Sequence, residues 1–278
     1  TFNSALADRE IKVHITRNNE MDLLITSAMP FTVEGIQFYG GQIARLSTNG
    51  PYSFNINQSL GCADLGYAVY QFHPGRWDTS GRTFIEAVPL NTNSAVDDLN
   101  QLLQLITCDR SNPALEVSRR HYRGSLGLIE QNGQYTFNRV LREQYLRGVV
   151  PQEMPSSWGT LGGGLGMQAL QAQAIAARTY LEAISRRRQA KGYMTDTCDT
   201  VGCQVYLGAS ANGMPLDFGT DFWTTTAAVV STAERIRVAY DGSIPLAEFG
   251  SSSGGWTTPR AELSAFPAVV DDGDDIEI

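Results

Sequence analysis

The sequence predicts a mixed α+β protein, strand-rich at its N-terminus, with a second unit in which a long alanine-rich helix packs on a β-sheet. Three observations carry this prediction. Residues 11–15, Ile-Lys-Val-His-Ile, alternate apolar and polar side chains, the period of a half-buried strand. Asn132-Gly133 separates two apolar runs, a hairpin signal. Residues 167–190 place Met167, Leu170, Ala174, Ala177, Leu181 and Ile184 at alternating steps of three and four, which makes one apolar helical face.

Taken in order, residues 11–38 read as β, with short apolar runs at 23–25 and 31–33 between turn-like breaks. Gly35, Gly40, Gly41, Gly50 and Pro51 cut the next stretch into strand-sized pieces. Residues 95–107 read as a short amphipathic helix ending near Cys108, and Arg110-Ser111-Asn112-Pro113 breaks it. This divides the chain into a strand-rich region, 1–118, and a second unit, 119–278. The second unit opens with a hairpin over 122–138, then one or two helical turns over 141–148 stopped by Gly148. A loop rich in Pro, Gly and Ser follows, and the glycines of 159–166 read as a mobile insertion. Arg186, Arg187, Arg188 and Lys191 load the C-terminal end of the long helix, where its dipole favours cations and a solvated end accounts for them. Beyond it, residues 224–231, 236–240 and 244–249 are β candidates, with a tight turn at Asp241-Gly242.

A chain of 278 residues with 42% hydrophobic and 18% charged residues has enough apolar mass for a core, which excludes wholesale disorder. No apolar run approaches the ~18 residues of a membrane span. The net charge of −8 is opposite in sign to that of a typical nucleic-acid binder, so no nucleic-acid partner is expected. Four cysteines beside three histidines fit two disulfides outside the cytosol. Spacing favours Cys198 with Cys203, which leaves Cys62 with Cys108; four buried thiols are the alternative. The chain starts at Thr1 with no basic-then-apolar leader, which does not argue for the cytoplasm because such leaders are removed on export.

Familiar catalytic constellations are missing. His14, His73 and His121 lie far in sequence from Cys198 and Cys203, so disulfide or free thiols outweigh zinc there, and no metal site is expected. The glycines of 162–166 lack the Lys-Ser/Thr ending of a phosphate loop. The more telling feature is Glu153 in Val-Val-Pro-Gln-Glu-Met-Pro. It reads as a loop carboxylate between Pro151 and Pro155, with apolar neighbours. Prolines pre-organise such a segment, and desolvation suits a carboxyl group to general-acid work near neutral pH.

The segments YRGSLGL, LREQYLRGVVPQEMPSSW, MQALQAQAIAARTYLEA, DTCDTVGCQVYLG and AYDGSIPLAEFGSSSGGWT occur in this order. Together, over about residues 119–270, they resemble the SpoIID/LytB family, named for stage II sporulation protein D and an amidase enhancer. The resemblance implies a peptidoglycan-directed protein of the bacterial envelope, secreted or envelope-associated. It further implies a lytic transglycosylase that cuts the bond between N-acetylmuramic acid and N-acetylglucosamine in glycan strands, preferably peptide-free ones. The products carry 1,6-anhydro ends. The family's catalytic glutamate falls on Glu153, and the chemistry needs no cofactor. Around it, Arg178 is a candidate to contact sugar hydroxyls or hold Glu153, with a structural ion pair as the alternative. Gln171, Gln173, Gln204 and Tyr206 are candidates for substrate contacts. Ser252, Ser253 and Gly254 lie in a small-residue loop able to approach a sugar, and Trp158 and Trp256 offer stacking faces. A groove is expected between the Glu153 segment, the N-terminal half of the long helix and residues 251–256. With no histidine after His121, the cysteine–histidine zinc site of some relatives is not expected. The alternative reading is a non-catalytic glycan-binding module that modulates a cell-wall amidase, or a structural envelope protein.

Overall fold

The computed structural model describes residues 3–5, 7–18, 21–64, 67–78, 81, 83–91, 97–130, 133–219 and 221–249. Its strands are β1 (Asn3–Ala5), β2 (Glu10–His14), β3 (Leu23–Thr26), β4 (Phe31–Val33), β5 (Ile36–Phe38), β6 (Ile43–Thr48), β7 (Phe54–Ser59), β8 (Tyr67–His73) and β9 (Arg76–Trp77). They continue with β10 (Thr83–Pro89), β11 (Leu103–Cys108), β12 (Glu116–Tyr122), β13 (Ser125–Glu130) and β14 (Gln134–Leu141). Three helices follow, α1 (Arg142–Glu153), α2 (Gly166–Ala190) and α3 (Trp223–Ser231). Between and after them lie the short strands β15 (Thr197–Cys198), β16 (Ser210–Ala211), β17 (Met214–Pro215) and β18 (Arg235–Arg237).

Among the described residues these strands form two eight-stranded sheets and a β1–β18 pair. One sheet runs β15-β2-β14-β13-β10-β4-β5, with β9 also on β10; the other runs β17-β16-β12-β11-β3-β6-β7-β8. Both draw strands from either side of residue 118. The fold is thus α+β, and the alternation read at 11–15 buries Ile11 and Val13 while Glu10 stays exposed. β13 packs against β3, β6 and β11 of the other sheet. The main core joins Ile11, Leu23, Phe54 and Leu128 of the sheets to Tyr145 and Val149 of α1 and to Ala174, Ala177 and Leu181 of α2. Burial of apolar surface on this scale is the chief force holding sheets and helices together.

Four local expectations are corrected. Residues 97–107 are not a helix: after a 3-10 turn at Leu99–Gln101 the chain forms β11 between β3 and β12. Leu103 and Leu105 face the main core while Ile106 and Cys108 enter a second cluster, so a strand buried on both faces mimicked a helical pattern. Residues 224–231 are helical. Thr224, Thr225, Ala228 and Val229 are buried at helical spacing, and the Thr225 hydroxyl donates back to the Phe222 carbonyl (2.9 Å). Residues 244–249 form no strand, although Leu246 and Phe249 pack on Tyr180 and Ala183 of α2. The glycine-rich stretch forms a 3-10 helix, Ser156–Gly164, kinked where Gly162 and Gly163 adopt φ of 59° and 68°, a left-handed conformation that glycine tolerates.

Both expected cysteine pairs form disulfides, Cys62–Cys108 and Cys198–Cys203. The first closes a 46-residue separation and the second a separation of 5. From loop-closure entropy, replacing Cys62 and Cys108 by Ser should cost about 4 kcal/mol, against about 2 kcal/mol for the Cys198–Cys203 pair. Urea unfolding of the two double variants checks the order, which equal losses would contradict.

Candidate functional site

β14 runs straight into α1. The helix lacks a side-chain N-cap, but the Arg142 N–H donates to the Arg9 carbonyl (2.8 Å). α1 continues through Gly148 and Pro151 and ends on Glu153. Glu153 therefore stands on the last helical residue, not on a free loop. Pro151 is accommodated in the final turn, and the Met154 N–H closes that turn on the Val150 carbonyl (2.9 Å) before Pro155. Gly148 does not stop the helix. A Cβ there would lie 2.7 Å from the Tyr206 ring, so glycine lets that ring pack directly on α1.

The Glu153 side chain is half-buried, and its Oε1 accepts a hydrogen bond from the Val205 N–H (3.0 Å). Among the described residues Oε2 makes no hydrogen bond. The residues flanking Val205 are both buried anchors. Gln204 donates to the Ala177 carbonyl on α2 (3.1 Å) and accepts from the Tyr145 hydroxyl on α1 (3.2 Å). Tyr206 donates to Asn138 Oδ1 on β14 (2.9 Å), and its ring packs 4.8 Å from Tyr145 and 6.0 Å from Tyr122, centroid to centroid. Asn138 in turn donates to the carbonyls of Arg123 and Ser125 (2.9 and 2.8 Å). Burial pushes the phenols of Tyr122, Tyr145 and Tyr206 above their ordinary range, so all three stay neutral. The donor that orients Glu153 is thus fixed by two helices and a sheet.

The other candidates are placed as follows. Arg178 is fully buried and forms a two-pronged ion pair with Glu143 of α1, Nε to Oε1 at 2.8 Å and Nη2 to Oε2 at 2.7 Å. It also donates to the Arg235 carbonyl (2.9 Å), so it joins α2 to α1 and β18 rather than reaching Glu153. Gln173 is buried one helical turn before Ala177, the residue that holds Gln204, and its Nε2 has no partner among the described residues. Gln171 donates to Ser231 Oγ (3.0 Å) across the α2–α3 seam. Trp158 is 43% exposed on the 3-10 helix. Ser252, Ser253, Gly254 and Trp256 lie outside the described residues. Glu153, Gln204 and Tyr206 come together, then, while Arg178 and Gln171 brace helix seams. Sequence reading missed Tyr145, Glu143 and the Val205 N–H. Tyr145 lies three residues before Gly148 on the same helical face, the one local hint of the aromatic cluster.

Two cavities on the described surface, of about 470 and 410 Å³, are lined by other residues. Among the described residues no group of three or more His, Cys, Asp or Glu could hold a metal ion. Gly148→Ala is expected to cost about 1–3 kcal/mol, because the buried Tyr206 ring has nowhere to move. It should also loosen the Val205–Glu153 contact. Urea unfolding and the Tyr206 ring resonances read these effects, and unchanged resonances would contradict the close approach.

The site is that of an α+β protein that presents one braced carboxylate at a helix end. Residues 130–240 match the family model SpoIID, Stage II sporulation protein. This segment, which contains Glu153, Arg178, Gln204 and Tyr206, is where the chain is similar to the SpoIID family. It is 35% identical over 127 residues to an amidase enhancer of Bacillus subtilis strain 168, covering 45% of this chain and 14% of the relative. It is 31% identical over 137 residues to a stage II sporulation protein D of Bacillus amyloliquefaciens, covering 46% and 36%. An uncharacterized protein of Brachyspira hyodysenteriae is 33% identical over 137 residues, covering 49% and 32%. The chain thus spans 14 to 36% of the length of these relatives. No solved structure matches it.

Proposed function

We propose that this chain acts on the glycan of the bacterial cell wall as a lytic transglycosylase, with Glu153 as its acid and base. The observation that carries this reading is the half-buried Glu153 carboxylate, held through one oxygen by the Val205 N–H inside the family-matched segment. Fixing one oxygen leaves the other to exchange a proton with a substrate at little entropic cost.

A single carboxyl group suffices for the reaction. Glu153 protonates the bridging oxygen as the bond from C1 of N-acetylmuramic acid breaks, which releases the next sugar as an alcohol. The 6-hydroxyl of the same muramic acid then attacks C1, and its proton returns to Glu153. The carboxyl group is regenerated, no water is consumed, and a 1,6-anhydro ring closes the product. Ordinary glycosidases need a second carboxylate because water or the enzyme must supply the nucleophile.

The two disulfides fit an oxidising compartment, which supports an extracytoplasmic site of action, secreted or at the envelope. Among the described residues no helix is long and apolar enough to cross a membrane. A second reading draws on the relative named as an amidase enhancer: a non-catalytic module that binds glycan and modulates an amidase partner. Incubation with peptide-free glycan strands, followed by mass spectrometry for anhydro-sugar ends, separates the two. Anhydro products support the enzyme; strands retained but never cut support the modulator.

A further inference from the structure

The cavity of about 410 Å³ lies where β2, the C-terminal end of α2 and the segment leading to β15 meet, and its lining includes Lys12, Asp78, Arg139, Gln189, Tyr193 and Asp196. It falls in the size range of small-molecule sites, ~300–1,000 Å³. Its charged groups are not equally satisfied. Arg139 is paired with Glu86 (2.8 Å), which also takes Arg76 (2.8 Å). Asp196 accepts from the Lys12 backbone N–H (2.8 Å), from Ser185 Oγ (2.5 Å) and from Gln189 Nε2 (3.0 Å).

Lys12 is the exception. Its ammonium sits 4.8 Å from the centre of the Phe84 ring, which Arg76 and Arg139 also approach, at 4.7 and 5.6 Å. Among the described residues no carboxylate forms an ion pair with it. Burial, and then the Arg139 charge, push the Lys12 amine below its ordinary range, while Asp78, Glu86 and Asp196 oppose them. The amine thus lies over the Phe84 ring with no carboxylate in ion-pair contact among the described residues.

The lining narrows the class of ligand. A bare anion would meet the carboxylates of Asp78 and Asp196 as well as Lys12. A neutral sugar would leave the ammonium unpaired. A molecule with several hydroxyl or amide donors and one acid group answers both demands. We propose that this cavity is a second carbohydrate site, separate from Glu153, that takes a sugar acid and pairs its carboxylate with Lys12. The choice of N-acetylmuramic acid as that sugar rests on the cell-wall reading above; the site itself rests on the cavity.

N-Acetylmuramic acid and N-acetylglucosamine differ by one lactyl ether and its carboxylate, which makes them a matched pair of probes. Titration of the wild-type chain with each sugar, with lactate and with inorganic phosphate, followed by the Tyr193 and Phe84 ring resonances, tests the proposal. N-Acetylmuramic acid should bind about tenfold or more tightly than N-acetylglucosamine, the scale of one charge-assisted hydrogen bond. Lactate and phosphate should shift the rings weakly or not at all. Lys12→Gln should erase the difference between the two sugars, and Lys12→Arg should keep it. Equal binding of both sugars, discrimination that survives Lys12→Gln, or phosphate binding as well as the sugar acid would overturn the proposal. The ring shifts in the unaltered chain remain decisive even if Lys12→Gln fails to fold. Glycan cleavage is a separate readout: a chain that cuts nothing yet discriminates the sugars keeps this site and loses the enzymatic reading.

Discussion

Glu153→Gln is expected to lower formation of anhydro-ended glycan by about 10²- to 10⁴-fold, the range that one positioned acid–base group contributes. Glutamine has nearly the shape of glutamate, and its amide oxygen can still accept from the Val205 N–H that now holds Oε1 (3.0 Å). What it loses is the proton that must be given to the bridging oxygen and then recovered from the 6-hydroxyl. Because the side chain is half-buried and its hydrogen bond survives, unfolding in urea should shift by no more than about 0.5 kcal/mol. Retention on glycan strands should likewise persist. Product formation, unfolding and strand retention measured on the same preparation check this. Unchanged product yield in the variant would end the single-carboxylate mechanism, whereas a parallel loss of stability would point to a structural Glu153.

Elements whose pattern is local were legible in the sequence. The period of two at Ile11 and Val13, the hairpin of β13 and β14, and the steps of three and four along α2 each follow from which side chains one element must bury. The short spacing of Cys198 and Cys203 was also enough to favour their pairing. The misreadings share one cause: partners distant in sequence. Residues of β11 look helical until β3 and β12 flank them and bury both faces. Thr224 and Thr225 look like strand formers until their hydroxyls find carbonyl or side-chain partners within the helical layer. At the site, Glu153 stood out by its proline-flanked setting. Its place on α1 and its brace did not, because the Val205 N–H lies 52 residues away and depends on Gln204 and Tyr206 being buried. Gly148 carried the opposite meaning from the one its type suggests, since its missing side chain makes room for Tyr206.

Glu143→Ala should be among the most destabilising single changes in the second unit, at about 3–5 kcal/mol, because it strands a guanidinium in the interior. Arg178 is wholly buried, and Glu143 supplies both oxygens of its two-pronged pair at 2.8 and 2.7 Å. The remaining Arg178 donors go to backbone carbonyls, including that of Arg235 (2.9 Å), which spread its charge without neutralising it. Combining Glu143→Ala with Arg178→Met removes the unpaired charge, so the double variant should be less destabilised than Glu143→Ala alone, a non-additivity that urea unfolding of the full cycle measures. The cycle also decides between two roles for Arg178. A bracing arginine predicts that stability and cleavage fall together in Glu143→Ala and recover together in the double variant. A sugar-contacting arginine predicts that Arg178→Met weakens glycan retention while stability holds. Full burial, a saturated carboxylate partner on α1 and a carbonyl of β18 favour the brace: an arginine already committed to three elements has no donor left to turn toward a substrate without breaking the contacts that hold α1, and Glu153 at its end, in place.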